Sequence, residues 1–319
     1  YLGTDHTTIM FSGRKIREYF EIISNVYDEP FADPSQLPTM MVSEASRKKV
    51  SVILSGDGGD ELFGGYDRYI SAKNFLDNNN HLKKLIVKSL GFMPDKILNL
   101  IGKVLNKENF PEKVENYIYS HIDNFSKKQN YSYQLTDIKN KNKILSQNYH
   151  RNIDDLFNFD ETIKNDYESF MFSDFSYYLP DKILTKVDRA SMKFSQEVRV
   201  PFLNEELVDF SISLPSEYKI NKFDQKILLK KISEKYIPKN FISNKKIGFG
   251  IPTNQILRNE LKEVSDFYFS DKELNKSNIY NTQNVSKIYQ DHINLKQNKG
   301  QELWNILILQ KWFDDNKIF

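Results

Sequence analysis

A short apolar run, a glycine-rich turn and an acidic helix start follow one another between residues 50 and 66. No other feature limits the fold so tightly. Residues 50–54 read VSVIL, which is short, β-branched and apolar apart from Ser51. Such a run suits a strand buried on both faces of a parallel sheet. Residues 55–59, SGDGG, form a turn, and residues 60–66 open as a helix with acidic residues in its first turn, where they complement the helix dipole. Open α/β sheets bind ligands just beyond the carboxyl ends of their strands. Gly56, Gly58 and Gly59 would let backbone N–H groups approach a phosphate closely. Asp57, Asp60 and Glu61 would repel that phosphate unless a divalent cation sat between them, as magnesium does in nucleotide sites. The plain alternative is an acidic turn with a helix cap.

Around this unit the pattern is mixed at first and then mainly helical. Residues 39–48 predict a short helix, with Pro38 suited to its start. Residues 82–90, 114–125 and 163–172 carry apolar residues at helical spacing. Residues 129–151 are polar and rich in Asn and Lys, and read as a loop or solvated helix rather than core. A last helix over residues 301–313, starting near Gly300, carries Leu303, Trp304, Leu307 and Trp312 on one side and is expected to be buried. The expected division is residues 1–75, a partial α/β nucleotide-binding core, and residues 76–319, a mainly helical remainder of the same domain.

Composition narrows the function classes. The chain has 319 residues, 39% hydrophobic and 28% charged, a globular recipe. No apolar run approaches the ~20 residues of a membrane helix. A formal charge of +2 implies no polyanion surface, and no nucleic-acid module is recognisable. Cysteine is absent, which excludes disulfides, cysteinyl zinc sites and a cysteine nucleophile. The five histidines, His6, His81, His121, His150 and His292, show no metal-ligand spacing. The Lys-rich stretches read as solvated surface.

The string SGDGGDELFGGY at residues 55–66 resembles the signature of the synthetase domain of glutamine-dependent asparagine synthetases, of the ATP pyrophosphatase class. Other segments resemble the same family in the same order. They are LGTDH at residues 2–6, YDEPFADPS at 27–35, YLPDKILTKVDRASM at 178–192, EVRVPFL at 197–203 and KIGFGIP at 246–252. Asn204 and Asn244 stand where the family usually has Asp and often has Arg. The family's pyrophosphate loop, SGGxDS, is not found, and Ser12-Gly13-Arg14 is no substitute for it. With Tyr1 as its first residue, the chain is expected to begin inside the domain, downstream of that loop and of an N-terminal glutaminase domain, and to be inactive as it stands.

The resemblance implies a fold and a chemistry. The fold would be α/β: part of a doubly wound parallel sheet (adenine nucleotide alpha-hydrolase-like) followed by the helical remainder. The enzyme would be cytoplasmic, with ATP and Mg2+, activating aspartate to β-aspartyl-AMP and amidating it with ammonia from glutamine. Asp60 would ligate magnesium. Ser55, Gly56, Gly58, Gly59 and Asp188 would contact the nucleotide. Asp57 would accept the proton of the incoming ammonia, and Lys186 and Arg189 would face the reacting phosphates. The bland alternative for the two cations is pairing with Asp188 or Asp181. Glu197 and Arg199 flank Val198 and are expected to form a structural ion pair that fixes the Pro-Phe-Leu turn. Glu29, Asp33 and Ser35 would either line the acceptor pocket or cap the turn around Pro30 and Pro34. These motifs do not read the acceptor, so a sugar acid or a β-lactam precursor remains an alternative to aspartate. A non-catalytic nucleotide-binding remnant is a third reading, and a homodimer stays open.

Overall fold

The segment around the glycine turn becomes two helix–strand units laid side by side. The computed structural model describes residues 1–10, 12–77, 86, 89–90, 92–105, 110–111, 113–114, 127, 131–132, 135, 141–146, 159–160, 162–242 and 249–319. The expected helix at 82–90, apart from helical residues 86, 89 and 90, lies outside them, as does that at 114–125 beyond Val114. His81, His121, His150, Asn244 and Lys246 also lie outside them.

Helix α1 (Gly13–Ile22) is capped by Ser12, whose hydroxyl accepts from the Lys15 N–H. Helix α2 (Gln36–Arg47) starts three residues before the expected place. Pro38 therefore sits in its first turn, where an N–H has no intrahelical partner to lose. Strand β1 (Val52–Leu54) leads through the glycine turn to α3 (Gly59–Phe63), which ends at left-handed Gly64 rather than running on to Tyr66. Helix α4 spans Asp67–Asp77. Helix α5 (Asp166–Ser173), capped by Asn165, passes directly into a π-helical stretch, Asp174–Leu184, and then into α6 (Thr185–Met192). Strand β2 (Glu197–Arg199) and the turn Pro201–Leu203 lead to α7 (Glu205–Ser213). Later helices include α8 (Thr253–Arg258), α9 (Thr282–Ile293) and α10 (Gly300–Asp315).

β1 and β2 pair in parallel, with Val52 opposite Glu197 and Leu54 opposite Arg199. The molecule is thus α-rich with a small parallel sheet, consistent with the α/β class. Two strands define no switch of strand order, so the doubly wound arrangement remains an expectation. The expected burial of β1 fails. Val52 is 38% and Leu54 71% exposed, so β1 is not buried on both faces. Among the described residues the sheet has only these two strands, and no layer covers the face that Val52 and Leu54 share.

The main core joins both ends of the chain. Phe20 of α1 and Leu37 and Met40 of α2 pack in one cluster with Leu257 of α8 and Leu303, Trp304 and Leu307 of α10. The last helix is therefore buried as its apolar width predicts, although Trp312 is only half-buried. A second cluster holds Tyr69, Tyr131, Phe170 and Met171. Tyr131, fully buried and stacked on Phe170 at 4.6 Å, corrects the reading of 129–151 as a solvated stretch. Polar neighbours set the average there, but isolated apolar residues such as Tyr131 and Ile144 reach the core.

His292 is 0% exposed. Its Nδ1 accepts from the Lys299 N–H at 3.0 Å. Burial, and then the neighbouring Arg258 guanidinium, pull its pKa down to about 4. The folded state thus keeps it neutral, while the unfolded chain takes up a proton below about pH 6.5. Its contribution to stability is full above that pH and is lost as pH falls towards 4. The stability advantage of wild type over His292→Asn, measured by urea denaturation, should shrink by about 2 kcal/mol between pH 7 and pH 5. A pH-independent difference would contradict this.

Candidate functional site

Strand pairing and one turn hold the glycine loop. The Ser55 N–H continues the ladder to the Arg199 carbonyl at 2.9 Å. The Ser55 hydroxyl donates to the Asp57 carboxylate at 2.8 Å. Gly58 has φ +82°, and a Cβ there would lie 2.7 Å from Leu203 Cδ2. The Pro201–Leu203 turn is thus the floor of the loop, and Gly58 meets both its steric and its conformational demand. Arg199 donates to Glu197 at 2.7 Å, the expected pair beside this turn. Asn204, where the family usually has Asp, caps α7 by accepting from the Leu207 N–H.

The loop's carboxylates have different surroundings. Gly56 is exposed and Asp57 half-buried. The half-buried Asp60 carboxylate pairs with the Lys226 ammonium at 2.7 Å. Gly65 makes room for this pair, since a Cβ there would stand 1.8 Å from Asp60 Oδ1 and 2.4 Å from Lys226 Cε. Glu61 turns inward and is buried, accepting from the Tyr66 hydroxyl at 2.6 Å. Burial pushes its carboxyl up, against the pull of that bond.

The two expected cations have different partners. Lys186 is only 7% exposed, and its ammonium donates to Ser35 Oγ at 3.0 Å. Ser35 in turn donates to Asp33, which also accepts from the Ser35 N–H. Asp33 therefore caps the turn before α2, and Lys186 ties α6 to it. Arg189, exposed, pairs with Asp28 rather than with Asp188 or Asp181. It lines a cleft of about 540 Å3 with Asp28, Glu29, Thr185 and Asp188. A neighbouring cleft of about 450 Å3 shares Glu29 and Phe31 and is lined by Asp33, Tyr177, Tyr178, Asp181 and Lys182.

The loop and the clefts meet through aromatic rings. Tyr66 stands edge-on to Tyr178 at 5.8 Å, and α3 packs against the π-helical stretch that carries Tyr178. Asp57 pairs directly with neither Lys186 nor Arg189; its partner is Ser55. The motifs did not flag Lys226. It has no local signal beyond the demand of a half-buried Asp60 for a cation. Nor did they flag Asp174, whose signal is a lone carboxylate in the apolar run of residues 170–179.

Among the described residues, no group of three or more His, Asp or Glu side chains converges on one point. Magnesium held through substrate phosphates needs only one or two carboxylates. For Asp60 to supply one, a cation must compete with the Lys226 ammonium for its carboxylate. Gly65→Ala is expected to displace the Asp60–Lys226 pair and cost about 1–3 kcal/mol of stability. Gly56→Ala, with nothing within 4 Å of the added carbon, should stay within about 0.5 kcal/mol. Thermal unfolding of the two variants checks both values; equal losses would contradict the steric account.

Comparison with known proteins agrees with the motifs. The family model described as asparagine synthase matches residues 1–314. The chain is 29% identical over 318 residues to asparagine synthetase [glutamine-hydrolyzing] 1 of Bacillus subtilis, covering 99% of this chain and 48% of that protein. It is 26% identical over 292 residues to a putative asparagine synthetase [glutamine-hydrolyzing] of Mycobacterium tuberculosis, covering 89% and 42%. A segment of 71 residues is 49% identical to putative asparagine synthetase [glutamine-hydrolyzing] 2 of Methanocaldococcus jannaschii, covering 22% and 14%. The chain spans less than half the length of these curated relatives. With the family model matched from the first residue almost to the last, the chain belongs to the asparagine synthase family.

Proposed function

We propose that this chain is the synthetase part of a cytoplasmic, glutamine-hydrolysing asparagine synthetase, and that β1 and β2 belong to a doubly wound ATP pyrophosphatase sheet. The observation that carries the reading is the glycine loop at the end of β1. It presents Asp57 and Asp60, and Tyr66 stands against Tyr178, which lines the cleft next to the one that Arg189 lines, the two clefts sharing Glu29 and Phe31. ATP would lie along the loop, with Ser55, Gly56, Gly58 and Gly59 supplying hydroxyl and backbone contacts. Asp60, with phosphate oxygens, would hold a magnesium ion, which neutralises phosphate charge when bound.

A carboxylate oxygen of aspartate attacks the α-phosphorus, the bond to pyrophosphate breaks, and β-aspartyl-AMP forms. Ammonia released from glutamine by another part of the protein then attacks the acyl carbon. Asp57 accepts the excess proton, and the C–O bond to AMP breaks. Two easier steps replace one hard amidation, because AMP leaves far more readily than hydroxide. The cations divide the work unequally. An exposed ion pair such as Arg189–Asp28 is worth about 0–1 kcal/mol, so phosphate can displace Asp28 and take a bidentate guanidinium contact. Asp188, on the same wall of the cleft, supports the nucleotide. Lys186 is engaged with Ser35 in the interior, which supports a positioning role for it.

The two half-reactions separate these roles in the intact protein. Asp57→Asn should lower asparagine formation about 10²–10⁴-fold and leave aspartate-dependent ATP–pyrophosphate exchange largely intact, because exchange precedes ammonia attack. Arg189→Ala should lower both by about 10²–10³-fold. Exchange that does not require aspartate, or full amidation by Asp57→Asn, would overturn the reading.

A further inference from the structure

Among residues of α3, α5 and α7, a partly open cavity of about 210 Å3 holds charges that the proposed reaction does not use. Met171, Phe172, Phe175 and Ile212 supply apolar walls, and Glu61, Glu168 and Lys219 also line it. Lys219 is only 4% exposed. Its ammonium donates to the Ser211 carbonyl at 2.8 Å and pairs with neither carboxylate. Glu61 accepts from Tyr66, and Glu168 accepts from the Ser216 N–H at 3.2 Å. Opposite charges thus face one small apolar space without touching each other. Burial pushes the Lys219 amine down and the Glu61 carboxyl up, as expected where neither charge is fully met.

The chemistry of the walls defines an occupant. A buried ammonium with a single neutral acceptor calls for a carboxylate, and two buried or half-buried carboxylates call for an ammonium. A simple fatty acid answers only the first demand and an alkylamine only the second. The volume equals roughly seven waters' share of liquid, enough for a small molecule. We propose that this cavity binds a free α-amino acid with an apolar side chain, its carboxylate on Lys219, its ammonium on Glu61 and Glu168, and its side chain against Met171 and Phe175. This site shares no lining residue with the two clefts described above and does not depend on the reaction proposed above.

Thermal unfolding of the intact protein with L-leucine, isocaproate or isoamylamine tests this. At about 10 mM, leucine with a Kd near 1 mM should raise the Tm of the domain that holds the cavity by about 2 °C. Isocaproate lacks the ammonium and isoamylamine the carboxylate, and each should shift it by less than about 1 °C. Ile212 is exposed at the rim (58%), so Ile212→Trp should fold normally, narrow the mouth and abolish the leucine shift. Lys219→Met should abolish it as well. No shift with leucine, methionine or phenylalanine, an equal shift with isocaproate, or a leucine shift that survives Ile212→Trp would overturn the proposal.

Discussion

One buried ion pair organises the middle of the molecule. Asp174 is wholly buried at the start of the π-helical stretch, and its Oδ2 accepts from the Arg68 guanidinium and, at 2.7 Å, from the Tyr69 hydroxyl. Arg68 also donates to the Tyr131 hydroxyl at 3.2 Å and lies over the rings of Tyr66 and Tyr178, at 3.6 and 4.3 Å. Stripping water from both charges is expensive, and only close, multiply bonded geometry offsets it. That requirement fixes three elements at once: α4, which carries Arg68 and Tyr69; the long helical run of residues 166–192; and, through Tyr66 and Tyr178, the joint between glycine loop and cleft.

The π-helical stretch depends on the same anchor. Pro180 has no N–H to donate, and in an α-helix its ring would strike the carbonyl four residues back. The wider turn over Asp174–Leu184 accommodates it. The Pro180 carbonyl is met instead by the Thr185 N–H and, at 2.9 Å, by the Thr185 hydroxyl. π-helical turns inside α-helices often mark functional sites. Here the stretch brings Tyr177, Tyr178, Asp181 and Lys182 to one cleft, just before Thr185, Asp188 and Arg189 line the next.

What could be read from the chain was what is local in it. The glycine loop was legible because strand, turn and helix start are contiguous. The Glu197–Arg199 pair needed only strand alternation, and the last helix only its apolar width. What could not be read is tertiary. The Lys186–Ser35 bond spans 151 positions, and no residue near Asp60 announces Lys226. The mid-helix change to π geometry was hidden inside a motif that spacing alone reads as ordinary helix. The exposure of β1 was illegible for another reason: a β-branched run states its propensity, not how many neighbours the sheet supplies.

The claim that the Arg68–Asp174 pair anchors this scaffold is most directly tested by a double-mutant cycle with Arg68→Met and Asp174→Asn, read by chemical denaturation. Each single substitution leaves the other partner's buried group unmet and should cost about 3–5 kcal/mol. The double variant should lose at least about 2 kcal/mol less than the sum of the two. Losses that add to within about 0.5 kcal/mol would show that the two charges do not act as a unit and would contradict the account.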